Sequence, residues 1–217
     1  MIAIFNPDKL TRQPFFQDLI HYLNQHDDVT LRHIKQAFSH VKGIDKALEA
    51  YIQAGYICRK NRRYYLCLPL LDDLQQVTLE DLIFVDRASD LYEALLALVF
   101  ETVLPNQTNQ VLIKEKTTIE RDKLTLANYF YRLRRGEALS DEQLRLYALL
   151  GDVNQDYALK YMTSFLLKFA RKEVVMQKRT DIFVTALELL GYIEKVEANK
   201  YCLRLAFDKE QLTFYAD

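Results

Sequence analysis

The chain has 217 residues, 50% of them hydrophobic and 27% charged, with a formal net charge of −1. That supplies apolar material for one large domain or two small ones, and it argues against wholesale disorder. The longest unbroken apolar run, Ala94 to Phe100, is far short of the about 20 residues a membrane span needs, so no membrane partner is expected. Met1 to Pro7 has neither the basic start nor the cleavage pattern of a secretion signal, which points to the cytoplasm. Cys58, Cys67 and Cys202 accordingly read as reduced thiols, half-buried in strands. Charge is uneven. Residues 1–70 hold ten Lys and Arg against six Asp and Glu, whereas residues 71–110 hold one Arg against eight acids. A mildly basic head followed by an acidic connector is compatible with a polyanion partner for the head.

Ile2 to Phe5 reads as a short edge strand. Pro14, a residue suited to a first helical turn, opens a helix with Phe15, Phe16, Leu19, Ile20 and Leu23 on one side. Thr30 caps a second helix that turns Leu31, Ile34 and Phe38 inward. After a turn at Ser39 to Gly43, a third helix carries the buried stripe Ile44, Ala47, Leu48, Tyr51 and Ile52. Gly55 stands where a left-handed residue ends a helix. Two β-prone runs, Tyr56 to Cys58 and Tyr64 to Leu68, flank Arg59 to Arg63 and predict a hairpin closed by Pro69.

Helix, helix, turn, helix and hairpin is the order of a winged helix-turn-helix. Residues 12–68 resemble that family, most closely from Val41 to Leu68, in the third helix, the Ala-Gly-Tyr-Ile turn and the hairpin. The resemblance implies three packed helices, with the third helix and the wing as the surface that meets DNA. Winged helices that bind proteins keep the same fold. The opening, Asn6 to Ile20, also resembles uncharacterised families of Gram-positive bacterial proteins, which implies a bacterial source and no particular activity.

Downstream, Thr78 caps a predicted short helix to Phe84, and Ser89 or Asp90 caps another running to Leu104, stopped by Pro105. Its run from Ala94 to Phe100 is apolar all round, the mark of a fully buried helix. Further helices are expected at about 118–134, at 141–150 and from about 155 to 171, the second with a capping box at Ser140 to Gln143. Ala186 to Ile193 echoes Tyr51 to Ile57, and Tyr201, Leu203 and Leu205 echo Tyr64, Leu66 and Leu68. The fold class expected is therefore mostly α with small β-hairpins. It comprises an N-terminal winged helix (1–70), a helical connector (71–139), and a helical C-terminal region (140–217) with a degenerate second winged-helix-like unit.

The candidate functional residues lie in the first unit. Arg59, Lys60, Arg62 and Arg63 crowd the wing, where cations suit phosphate oxygens or a narrow minor groove. Lys42, Lys46, Glu49 and Gln53 form the exposed stripe of the third helix. Gln can read adenine, and Lys can contact guanine or phosphate. Glu49 and Asp45 oppose such contacts. The same cations also suit a solvated turn that keeps a hairpin edge soluble. Tyr129, Phe130 and Tyr131 beside Arg132, Arg134 and Arg135 fit base stacking less well than core packing with wet arginines. Lys168, Arg171, Lys172, Lys178 and Arg179 read as a solvated face.

The five glycines form no phosphate-cradling loop, and no nucleophile elbow or zinc-protease motif is present. His21, His26, His33 and His40 read as exposed polar residues, and Asp152 to Asp156 as a helix cap instead of a calcium loop. No cofactor, metal or catalytic residue is expected. The reading is a DNA-binding, regulator-like protein with double-stranded DNA as partner and a homodimer as its form. The alternative is a non-enzymatic adaptor that docks a protein partner.

Overall fold

A computed structural model describes residues 1–216 and divides into two units, Met1–Leu98 and Val99–Asp217. The division falls inside the stretch 71–139.

The first unit runs β1 (Ile2–Phe5), α1 (Pro14–Gln25), β2 (Val29–Thr30), α2 (Leu31–Ala37), α3 (Ile44–Gln53), β3 (Ile57–Lys60), β4 (Arg63–Leu66), β5 (Ile83–Asp86) and α4 (Asp90–Ala97). Pro14 sits at the start of α1, where its missing N–H costs nothing, and Phe15, Phe16, Leu19, Ile20 and Leu23 are buried. Thr30 caps α2 by accepting from the His33 N–H, and the His33 side chain closes the capping box. Gly55, at φ +79°, ends α3 in the left-handed region, which lets the Tyr56 N–H reach back to the Tyr51 carbonyl at 3.0 Å. Phe16 lies at the centre of the core, with ring centroids 4.9 Å from Tyr51, 5.5 Å from Tyr56 and 6.3 Å from Phe84. Burial pushes the Tyr51 phenol up to about 12, and its hydroxyl donates to Gln13 Oε1 at 3.1 Å. The strands form two sheets, β2-β4-β3 and the antiparallel pair β1-β5.

The second unit runs β6 (Phe100–Pro105), β7 (Leu112–Thr117), α5 (Leu126–Arg135), α6 (Asp141–Leu150), α7 (Gln155–Leu166), a 3₁₀ turn (Leu167–Ala170), β8 (Val174–Met176), α8 (Ile182–Leu189), β9 (Ile193–Glu197), β10 (Lys200–Leu203), β11 (Ala206–Asp208) and β12 (Thr213–Ala216). Its sheets are β11-β12-β7-β6, in which β12 runs parallel to β7, and β8-β10-β9. The capping box at Ser140 and Gln143 starts α6, and Asn154 caps α7. Tyr129, Leu146, Leu159, Met162, Leu187 and Phe214 meet in its core.

The chain is therefore a mixed α/β protein, 38% helix and 23% strand in four sheets. This overturns the expectation of a mostly α fold with small hairpins, and the connector shows why. The helix from Asp90 stops at Ala97, and Phe100–Pro105 is a strand. Val99, Phe100, Thr102 and Val103 are β-branched or aromatic and favour the extended backbone. The run Ala94 to Phe100 is not fully buried, because only Leu95 is. Thr78 begins a turn closed by its N–H to Asp81 Oδ2 at 2.7 Å, and Ile83-Phe84-Val85 pairs with β1 in place of the expected helix. The helix expected from about 118 begins at Leu126, capped by Thr125.

Strand β7 turns Ile113, Glu115 and Thr117 inward, a polar alternation with no apolar signature. Glu115 is fully buried and accepts from the backbone N–H of Leu126 and Ala127, each at 2.7 Å, and from the Tyr192 hydroxyl. Desolvation pushes its carboxyl up to about 7, against the two N–H bonds that favour the charged form.

Candidate nucleic-acid interface

The hairpin of β3 and β4, where the wing is expected, is tight. Lys60 pairs with Arg63 across a two-residue tip, Asn61 and Arg62, both left-handed at φ +52° and +62°. That is the mirror-image turn whose twist matches a hairpin, and its second position is cheapest for Gly. Asn tolerates the left-handed region well, while an Arg there costs roughly 1–2 kcal/mol of backbone strain. The strands below the tip turn Ile57 and Tyr64 into the core and leave Arg59, Lys60 and Tyr65 in solvent.

Helix α3 starts at Ile44 with Gly43 as its cap, so Lys42 lies just ahead of the helix and not on its stripe. Lys42, Lys46, Glu49 and Gln53 are all exposed. Hairpin and helix meet where the Arg59 guanidinium donates to Glu49 Oε1 at 2.9 Å. Tyr64, its ladder neighbour, and then Glu49 hold the Arg59 guanidinium above its ordinary range. Arg63 is likewise engaged, donating to Asp28 Oδ1 at 2.6 Å. Asp45 accepts from Lys35 at 2.8 Å. The acids of the third helix are thus matched within the domain, Asp45 by Lys35 of α2 and Glu49 by Arg59 of the hairpin, while Arg63 is taken up by Asp28. Among the described residues, Lys42, Lys46, Lys60 and Arg62 make no ion pair, and neither does Arg32 on α2, a cation the sequence pattern did not single out.

Cys58 and Cys67 do not remain thiols. They form a disulfide across the hairpin, with Cα atoms 6.0 Å apart, and only Cys202 is free. Cys58 on β3 and Cys67 just past β4 are brought diagonally together by the ladder pair Ile57–Leu66, which spacing alone does not reveal.

In the second unit two of the hairpin cations are matched by neighbouring acids. Lys200 pairs with Glu197 at 2.6 Å, and Arg204 pairs with Glu194. Tyr129, Phe130 and Tyr131 are buried, and Arg121 lies 3.7 Å above the Tyr131 ring. Arg132 donates to the carbonyls of Arg121, Ala138 and Glu120, so this segment is a packing element. Lys168, Arg171, Lys172, Lys178 and Arg179 are all exposed. Among the described residues no three His, Cys, Asp or Glu converge as metal ligands, and no helix is long and apolar enough to cross a membrane.

No curated protein and no solved structure matches the chain. A domain of unknown function (DUF1803), an uncharacterised family, covers residues 2–98, the same span as the N-terminal unit to within its first residue.

Proposed function

We propose that residues 12–68 are a winged helix-turn-helix that binds double-stranded DNA in a non-enzymatic, regulator-like role. The observation that carries this reading is the set of cations left outside ion pairs: Lys60 and Arg62 at the wing tip, Lys42 and Lys46 at the third helix. Arg62 adds weight, since a strained cation at a site suited to Gly fits a role in contact better than a role in folding. Arg59 and Arg63 position the wing through Glu49 and Asp28, and Gln53 is the side chain of the helix best able to read a base edge.

The test is fluorescence anisotropy of a labelled random duplex across salt. Four phosphate contacts give a slope of log affinity against log salt of about −3.6, close to a hundredfold loss between about 50 and 200 mM salt. Lys60→Gln with Arg62→Gln should reduce that slope by about 1.8. Arg62→Gly alone should weaken binding while easing the turn. Unchanged affinity in the double variant, or no binding at low salt, removes the reading.

A second reading, a protein-docking adaptor, is favoured by one surface of the second unit. Tyr157, Tyr161 and Ile182 are 52%, 40% and 47% exposed, and Tyr161 stacks on Phe183 with centroids 5.3 Å apart. A defined partner that co-purifies with the native chain but not with Tyr157→Ser/Tyr161→Ser, in the absence of duplex binding, would support it.

A further inference from the structure

We propose that the Cys58–Cys67 pair is a thiol–disulfide exchange site that a low-molecular-weight thiol opens and closes in the folded protein. Its effect on DNA rests on the reading above, whereas the exchange itself does not.

The bond lies on the solvent side of the hairpin. Cys67 is exposed and Cys58 half-buried, while the neighbouring inward residues Ile57 and Tyr64 belong to the core. Neither cysteine is part of that core, so opening the bond leaves core packing in place. An exposed disulfide is the kind a small thiol can reach, and such bonds are the labile ones. What remains after opening is short: four ladder pairs between β3 and β4 and two between β4 and β2. A hairpin of that length is marginal by itself. Cys58 directly precedes Arg59 in β3, the residue that ties the hairpin to α3, so the bond constrains the strand from which the tip extends.

The second unit supplies the comparison. There the ladder pair Ile193–Leu203 matches Ile57–Leu66, and the next residues on each strand, Glu194 and Arg204, form an ion pair. In both hairpins the residue in the second of these places donates its N–H to the carbonyl of a tyrosine, Cys67 to Tyr56 and Arg204 to Tyr192, each at 2.9 Å. The diagonal is closed in both hairpins, but only the first closure is chemically switchable.

In the exchange, the thiolate of reduced glutathione attacks the exposed Cys67 Sγ. The S–S bond breaks, its electron pair leaves on Cys58 Sγ, and that sulfur takes a proton. A second glutathione thiolate then attacks the glutathione sulfur of the mixed disulfide and releases Cys67, which is protonated in turn. Two electrons and two protons reach the protein, and oxidised glutathione is the product; the reverse reaction consumes it.

The experiment uses the full chain in mixtures of reduced and oxidised glutathione, with thiol alkylation read by mass and limited trypsin digestion read in parallel. The wing offers cleavage after Arg59, Lys60, Arg62 and Arg63, and the second hairpin offers Lys195 and Lys200 as an internal control. Reduction should raise wing cleavage about tenfold and leave the control hairpin unchanged. Cys58→Ser/Cys67→Ser should show the reduced pattern in every mixture, and Cys202→Ser should keep the full response. The proposal is overturned if millimolar glutathione leaves the bond intact until urea unfolds the protein, or if wing cleavage does not change on reduction. Equal increases in both hairpins overturn it too. A wing that opens on reduction but never binds duplex keeps the exchange site and removes only the DNA reading.

Discussion

The hairpin of β3 and β4 and the hairpin of β9 and β10 share a backbone plan and differ in their side chains. Each follows a helix ended by a left-handed glycine, Gly55 or Gly191, and each takes a third strand on the side of its second strand, giving the orders β2-β4-β3 and β8-β10-β9. The helices differ. α3 buries Ile44, Leu48 and Tyr51 and leaves a wet face, while α8 buries Phe183, Val184, Ala186 and Leu187 and keeps little polar surface. Between β2 and α3 the first unit inserts α2; between β8 and α8 the second has only residues 177–181. At the tip, Arg62 stands free of ion pairs in one hairpin, whereas Lys200 is matched by Glu197 in the other. The first frame keeps a polar helix face and unmatched cations near its tip; the second keeps a more apolar helix and a tip cation matched by its neighbour.

The largest effect should come from the buried leucine of the helix that precedes each hairpin. Leu48 and Leu187 are 1% and 0% exposed. Leu48→Ala and Leu187→Ala should each cost about 2–5 kcal/mol by cavity formation, measured by urea denaturation. A loss below about 1 kcal/mol at either site would show that its helix is not packed as described.

The next contrast is pH. Glu115 binds its proton more tightly in the fold, at about 7, than at its ordinary value of 4.5. Its contribution is therefore fully present below about 4.5 and is lost as pH rises to 7, by about 3 kcal/mol in all. Glu115→Gln should remove that slope, so the difference between native and variant stability against pH isolates it. A difference that stays level from pH 4 to 8 would mean that the carboxyl is not desolvated.

The two diagonal closures give the finest contrast. Cys58→Ser/Cys67→Ser should cost about 2–3 kcal/mol, the chain-entropy value for a loop of this length. Arg204 and Glu194 are 60% and 49% exposed, so Glu194→Gln should cost well under 1 kcal/mol. Equal losses would mean that both closures act through packing and not through the bond or the charge.

Much of the first unit is legible in its residues because its signals are local. Phe15 to Leu23, Ile44 to Ile52 and the cap at Thr30 each announce a helix within one window of sequence. The sheets are less legible. Ile2 recurs as a strand, but its partner Asp86 is set by tertiary pairing that no window contains. Strand β7 hides because its inward residues include Glu115 and Thr117, satisfied by α5 and Asn128 and not by apolar contact. The candidate site was legible as a list of exposed cations and not as a charge map. Arg59 finds Glu49 and Arg63 finds Asp28 only after the hairpin has folded back on the helices.

The parallel pairing of β12 with β7 has a consequence for synthesis. Phe214 lies beside Ile113 and is made about 100 residues after it, so at typical elongation rates β7 waits on the order of 5–20 s for its neighbour. During that interval the only other partner of β7 is β6, and one side of the strand offers unpaired N–H and C=O groups to any extended chain nearby. The nascent second unit is thus exposed to mispairing in proportion to translation time, and a ribosome that stalls between β7 and β12 prolongs that exposure directly.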